Sequence, residues 1–346
     1  MRRFISYYGY LLTPLCCILA CSEYVGGQLN TEQIISTPVE RVFNAEVVNH
    51  VTTTPDSLSL RGIDQIRLNP YNGCLYVINT RRREILIYDQ DLNYIDKFGK
   101  YGQGQEDFRE LRDIAFFRNG DIAVMDQFES SIKLFDRNFK LKKIYDSKGF
   151  PVLAKLAVTA DQCLLINAVR RNRDSLFTVL STDSTVTGQF GAIYPYRLPQ
   201  YSDAYNSVNY VGDDNYIYCA FYHHPVIRKY NALDFSFESE IDYSHFQEAI
   251  YMKNIFEQQE KNMPAEGKFR SPIYMSGFSI DENFIYLFPY GKNMTQIYLF
   301  EKNNGNLYGK YVCEEFRAIE CRTEDYFFGI SRSTGIYKIR KEEFHE

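Results

Sequence analysis

Tryptophan is absent from the 346 residues, and histidine occurs only five times. Eight cysteines are present, but no two form a Cys-x-x-Cys pair, and His-Glu-x-x-His and Gly-x-Ser-x-Gly are missing as well. A zinc ribbon, a zincin helix and the nucleophile elbow of an α/β-hydrolase therefore have no motif to stand on. A large excess of charge of one sign is also lacking. Against 39 Lys+Arg stand 44 Asp+Glu, a net charge of −5, so nucleic acid is not an expected partner. With 45% hydrophobic and 24% charged residues, disorder, collagen and a polytopic membrane protein are excluded. What the chain has in quantity is 29 Tyr and 26 Phe. Aromatic side chains suit a pleated, half-buried surface, and an all-β chain is the first expectation.

The N-terminus reads as an address. Arg2 and Arg3 make a basic start, and Phe4 to Ala20 carries no charge. That stretch is short for a membrane span and sits where a signal peptide sits. It ends Ile18-Leu19-Ala20-Cys21, which resembles a bacterial lipoprotein signal, although Leu19 is bulkier than usual. The resemblance implies a signal peptide over residues 1–20, lipid on Cys21, a linker over 21–38 and a single folded domain over 39–346. It also implies a cell-envelope address, held to the outer membrane by lipid and facing either the periplasm or the outside. Beyond the signal and its Cys21, five scattered cysteines remain, Cys74, Cys163, Cys219, Cys313 and Cys321. An odd, unpatterned set argues against a disulfide framework; a hairpin bridge between Cys313 and Cys321 stays open.

The chain repeats itself. Asn72 to Asn79 aligns with Asn119 to Asp126, and Ile87-Tyr88-Asp89 aligns with Leu134-Phe135-Asp136, at one shared offset. Each unit reads as a strand, a polar turn, an apolar strand, a charged loop, a strand ending in an aromatic residue and Asp, a further turn, and a fourth strand. Asn-Gly marks the first turn as a hairpin in both units. Apolar second strands recur near 74, 121, 163, 216, 284 and 326. Four-stranded units of this length, six times over, predict a six-bladed β-propeller. The last unit lacks a fourth strand, which the segment Arg41 to Val48 can supply, closing the ring and removing an open edge.

Phe98-Gly99-Lys100-Tyr101-Gly102-Gln103-Gly104-Gln105-Glu106-Asp107-Phe108 resembles the glycine-rich linker of NHL-like and TolB-like six-bladed propellers, a family abundant among Bacteroidetes lipoproteins. Gln105 stands where that family has Pro, and Asp107 is an extra residue. A phosphate loop is the other reading of such glycines, but it requires a following helix, whereas Leu111 to Phe117 alternates as a strand. A turn joining two blades is expected. Related propellers include lactonases and amidating lyases with metal in the central channel, so a metal-dependent lactonase- or lyase-like enzyme is the alternative function. Asp64 and Asp113, near the starts of two inner strands, are the channel carboxylates to watch; hydrogen bonding to neighbouring groups is their plainer role.

Topology supplies the remaining clue. In a propeller, turns between strands two and three share a face with the inter-blade loops. Those segments hold Arg81, Arg82, Arg170, Arg171, Arg173, His223, His224, Lys292 and Arg332, a net positive set in an acidic chain. The same face carries two long insertions. One, near Ala192 to Tyr201, holds Tyr196 and Arg197; the other, from Ser244 to about Arg270, has apolar residues at helical spacing that predict a helix over 245–261. The expectation is an anionic ligand or an envelope protein bound on this basic loop face, by a monomer without a cofactor. A solvated surface and an ordinary packing helix are the plainer readings of the same features. Adjacent His223 and His224 could ligate a metal, but no third ligand is apparent.

Overall fold

The computed structural model describes residues 33–34, 41–57, 59–129, 131–146, 155–167, 175–196, 201–261, 271–290, 296–313, 316–323, 325–331 and 335–341. The chain divides into two units, Met1–Glu32 and Gln33–Glu346; the first, with Cys21, lies outside the described residues.

Three short strands open the second unit: β1 (Gln33–Ile34), β2 (Val42–Asn44) and β3 (Glu46–Val51). Antiparallel blades follow in chain order. The first holds β4 (Ile63–Leu68), β5 (Leu75–Asn79), β6 (Glu84–Tyr88) and β7 (Tyr94–Phe98). The second holds β8 (Leu111–Phe116), β9 (Ile122–Asp126), β10 (Ser131–Phe135) and β11 (Leu141–Asp146). The third holds β12 (Leu156–Val158), β13 (Leu164–Asn167), β14 (Ser175–Leu180) and β15 (Val186–Ala192). Helix α1 (Ser202–Tyr205) precedes the fourth, with β16 (Val208–Gly212), β17 (Tyr216–Phe221), β18 (Val226–Asn231) and β19 (Phe237–Asp242). Helix α2 (Gln247–Lys261) precedes the fifth, with β20 (Met275–Ile280), β21 (Phe284–Pro289), β22 (Gln296–Glu301) and β23 (Leu307–Val312). The sixth holds β24 (Phe316–Glu320), β25 (Tyr326–Ser331) and β26 (Ile336–Arg340). Its outer strand is β3, antiparallel to β26. The six-bladed, four-stranded architecture is the one the repeats predict.

Closure differs in detail from the single strand expected over 41–48. The segment splits. Val42–Asn44 runs parallel along β23 of the fifth blade, and only Glu46–Val51 completes the sixth. Gly309 makes this possible, because a Cβ there would stand 2.5 Å from the Phe43 ring, which packs on Tyr308 and Tyr311. Gln33–Ile34 adds to the fourth blade in the same parallel manner, inside the stretch read as linker.

The core lies between blades. Along β5, Leu75 and Val77 face the sixth blade's Phe328, Ile330 and Ile336, while Tyr76 and Ile78 face the second blade's Ile114, Ile122 and Val124. A strand covered on both sides reads as an unbroken apolar run, which is why the second strands were the legible ones. Outer strands keep one face in water; residues Ile95 to Lys97 of β7 are exposed.

The Asn-Gly turns are tighter in their demands than expected. Only glycine takes positive φ, at Gly73 and Gly120. Asn72 and Asn119 instead accept the backbone N–H two residues on, an Asx turn. The recurring Asp after strand three does similar work: Asp89 Oδ1 accepts from the Asp91 and Asn93 amides, and Asp136 from Asn138 and Lys140.

The glycine-rich linker is a folded joint. Gly99 has φ +85°, and a Cβ there would meet the Phe108 ring at 2.6 Å. Asp126 accepts the Arg109 and Glu110 amides, and the buried Lys133 ammonium donates to the Asp107 carbonyl. Helix α2 occupies the predicted span. It packs on the fifth blade through Ala249, with Phe246 just before it set against Tyr298 and Phe300, and Tyr298 donates its hydroxyl proton to Glu248. All five described cysteines are free, Cys313 and Cys321 included.

Candidate functional site

The innermost strands of the six blades surround a channel that opens at one end into a funnel of about 590 Å³. Each blade contributes to its wall: Arg67, Arg118, Thr159, Tyr210, Asp281 and Arg322 come from blades one to six in order. The inner strands run toward this end. Turns between strands one and two, and between strands three and four, therefore both open here.

A belt of polar contacts rings the channel beneath the mouth. Arg67 holds Asp113 through two nitrogens, at 3.0–3.2 Å, joining the first blade to the second. Asp113 also accepts the Leu156 amide of the third blade at 2.9 Å. Tyr210 of the fourth blade reaches the third, donating to the Leu165 and Lys155 carbonyls and accepting from the Asn167 amide. Glu320 of the sixth blade accepts the Leu68 amide at 3.0 Å and the Ser279 hydroxyl of the fifth at 3.3 Å. Buried polar groups must be satisfied, and here their satisfaction staples neighbouring blades.

The charges in this belt act strongly on one another. Burial disfavours the Asp113 carboxylate, but the Arg67 guanidinium, the Lys155 ammonium and the Leu156 amide together outweigh it and hold Asp113 below the usual carboxylate range. Burial pulls the Lys155 ammonium down to about 8, with Asp113 opposing and Arg67 and Arg112 adding to the fall. Arg322 is lowered by burial, and the Arg67 charge adds to this while Glu320 opposes it. Three carboxylates at the mouth are paired: Asp213 with Lys302 at 2.6 Å, Asp281 with Lys341 at 2.5 Å, and Asp214 with Arg118 at 3.7 Å.

Among the described residues, no three His, Cys, Asp or Glu side chains gather in a way that could hold a metal ion. Asp113 is committed to Arg67 and the Leu156 amide, and Asp64 accepts from the Thr80 hydroxyl. What the funnel offers is a concave space lined by guanidinium, hydroxyl and amide donors together with carboxylates, which is the equipment of recognition.

Residues 40–338 match the family described as DUF5128, 6-bladed beta-propeller. The chain belongs to this family. DUF5128 membership extends from just before β2 into β26, so it takes in every blade. Among solved structures, the chain is similar to a Bacteroides fragilis protein described as exported, with TM-score 0.60 and 12% identity over 86% of this chain and 96% of that one. It is also similar to the propeller domain of Myceliophteria thermophila Cps50 (Swd1), with TM-score 0.51, 10% identity, and 86% and 100% coverage. A third likeness is to the extracellular domain of a hybrid two-component system of B. thetaiotaomicron, with TM-score 0.50, 11% identity, and 82% and 34% coverage. At such identities the shared feature is the fold. No curated protein matches the sequence.

Within this DUF5128 chain, the described residues of the expected basic face do not line the funnel. Arg82 pairs with Glu84 at 3.4 Å and donates to the Ser59 carbonyl, so its charge is partly spent locally. The Arg81 Cβ packs over Gly62. His223 is buried against the Pro272 carbonyl at 2.8 Å. His224 stacks on Tyr194, ring centroids 3.8 Å apart, and packs edge-on to Tyr205, which Tyr196 also touches. Burial, His223 and Arg228 together pull the His224 imidazole down to about 3, so it stays neutral and offers an anion no charge at pH 7. These two belong to blade four and the arginine pair to blade one, on opposite sides of a six-membered ring. Arg170, Arg171, Arg173, Arg197, Lys292 and Arg332 lie outside the described residues.

The funnel residues escaped sequence reasoning because that reasoning followed the turns between strands two and three and the inter-blade loops, whereas the funnel is built at the other face. Lys302 follows β22 and Lys341 follows β26, and both come back to neutralise acidic turns on this face. The turns between strands three and four, read together with those between strands one and two, are the signal that points to them.

Proposed function

We propose that this protein is a cell-envelope binding propeller, held by lipid at Cys21, whose ligand sits in the central funnel. The observation that carries the reading is the funnel itself: all six blades line it, and donor groups converge in it. Its volume suits a small polar molecule. The similarity to an exported protein and to the extracellular domain of a hybrid two-component system supports an address outside the cytoplasm. The funnel takes precedence over the basic loop face because it is concave, whereas His223, His224 and Arg82 are engaged in packing or local pairing. A metal-dependent lactonase or lyase is the weaker reading, since Asp64 and Asp113 have hydrogen-bonding duties already.

The test is a thermal-shift screen of small polar metabolites against the mature protein and its Asn215→Trp variant. Asn215 is exposed at the mouth, so the indole blocks entry without touching the core. At least one compound should stabilise the wild type, and the variant should lose that affinity by tenfold or more. A stabilising compound indifferent to Asn215→Trp would move the site elsewhere. For the anchor, mass spectrometry of the mature N-terminal peptide should find an acylated Cys21; an unmodified N-terminus would remove the lipid from this proposal.

A further inference from the structure

We propose that the deep wall of the funnel, where blade six meets blade one, is an anion subsite in which Arg67 and Arg322 grip a carboxylate or phosphate group of the ligand. The inference rests on the funnel being the binding site.

The argument begins with pairing. Arg67 spends Nε and Nη2 on Asp113, and Nη1 makes no hydrogen bond among the described residues while the side chain keeps 17% exposure. Arg322 is paired less well. The one carboxylate within ion-pair distance of it among the described residues is Glu320, with Nε and Oε1 3.9 Å apart. That carboxylate is itself engaged by the Leu68 and Arg322 amides and the Ser279 hydroxyl. The terminal nitrogens of Arg322 thus enter the funnel with their donors unused, and its side chain is 26% exposed. Both arginines line the same cavity.

Charge balance points the same way. Three acidic groups at the mouth, Asp213, Asp281 and Asp214, have cations of their own in Lys302, Lys341 and Arg118, and Glu282 lies exposed at the rim. Deeper in, Arg67, Arg322 and the nearby Lys155 stand beside the buried carboxylates Asp113 and Glu320, and Asp213, already paired with Lys302, acts on Arg322 from the mouth; Lys155 makes no salt bridge or side-chain hydrogen bond among the described residues. Arg67 is close enough to lower the pKa values of both Arg322 and Lys155. Like charges held together in a partly dehydrated cavity raise its energy. An anion between the two guanidinium groups relieves that repulsion and takes up their free donors, and planar guanidinium forks match carboxylate and phosphate oxygens. Around the rest of the wall, Thr159, Asn215 and Tyr71 supply neutral polar contacts of the kind that suit a hydroxylated body. A sugar acid or sugar phosphate has this combination.

The experiment is isothermal titration of the mature protein with three probes that share a glucose-like ring: glucuronate, glucose 1-phosphate and neutral methyl glucoside. At least one acidic probe should bind, and methyl glucoside should bind at least tenfold more weakly. Arg322→Gln should lower acidic-probe affinity about tenfold or more, the scale of losing charged hydrogen bonds, and Arg322→Lys should keep part of it. Because Arg67 also staples two blades, the variant is made at Arg322, and its melting temperature should match the wild type. Which acidic probe binds more tightly assigns carboxylate or phosphate. Equal binding of the neutral probe, or affinity untouched in Arg322→Gln, would overturn the anion subsite and leave the funnel standing. Failure of all three probes would overturn it too, while a neutral hit from the metabolite screen, sensitive to Asn215→Trp, would keep the funnel as the site.

Discussion

A chain beginning at residue 52 should lose about 3–6 kcal/mol of stability and melt roughly 10 °C lower than the mature protein. This truncation removes the whole N-terminal strap. Strand β3 covers β26 from Ile336↔Val51 to Arg340↔Glu46. Without it, the backbone donors and acceptors on the outer side of β26 face water, and an open edge appears where the ring closes. Ile336 and Ile339, both fully buried, lose part of their cover. Burying such a side chain is worth about 1.5–3 kcal/mol. The loss of β2 adds to this, since Phe43 leaves Tyr308 and Tyr311 bare at the edge of blade five. Differential scanning calorimetry compares the two chains. An unchanged melting temperature would mean that the sixth blade stands without its fourth strand.

Replacing Lys133 with Met should cost about 3–5 kcal/mol, the usual consequence of removing one partner from a buried ion pair. The Lys133 side chain has no exposure. Its ammonium lies 2.9 Å from Glu129 and 3.6 Å from Asp126, donates to the Asp107 carbonyl, and sits over the Phe108 ring at 5.4 Å. Asp126 is equally buried. After the substitution it keeps the Arg109 and Glu110 amides but loses its countercharge. The linker between blades one and two hangs on these contacts, so limited proteolysis at residues 100–107 should also accelerate. Urea unfolding measures the free-energy change. A difference under about 1 kcal/mol would show that methionine packing compensates for the lost pair.

The two positions illustrate how unevenly the sequence reveals the molecule. The linker was recognisable from its glycines, and Gly99 does require the conformation that only glycine adopts cheaply. The reason for its rigidity was not recognisable, because Lys133 and Asp126 lie in strands that read simply as apolar. A lysine in β10 looks like a solvent-facing residue until the loop from the previous blade folds over it. His223 and His224 stood out as an adjacent pair of rare residues, yet their surroundings are aromatic rings and a backbone carbonyl.

Blade number, strand order and closure by an N-terminal segment were determined by the sequence alone. They follow from short-range physics repeated at near-constant spacing: glycine and Asx turns, and strands apolar on both faces. The location of the funnel and its charge balance were decided only by tertiary structure. Arg67 and Arg322 come from opposite ends of the domain, as do Leu68 and Glu320, which share a hydrogen bond. Lysines that follow third strands neutralise acidic turns that follow first strands. Closing a ring brings the first and last blades together, and that long-range adjacency leaves no local pattern in the chain.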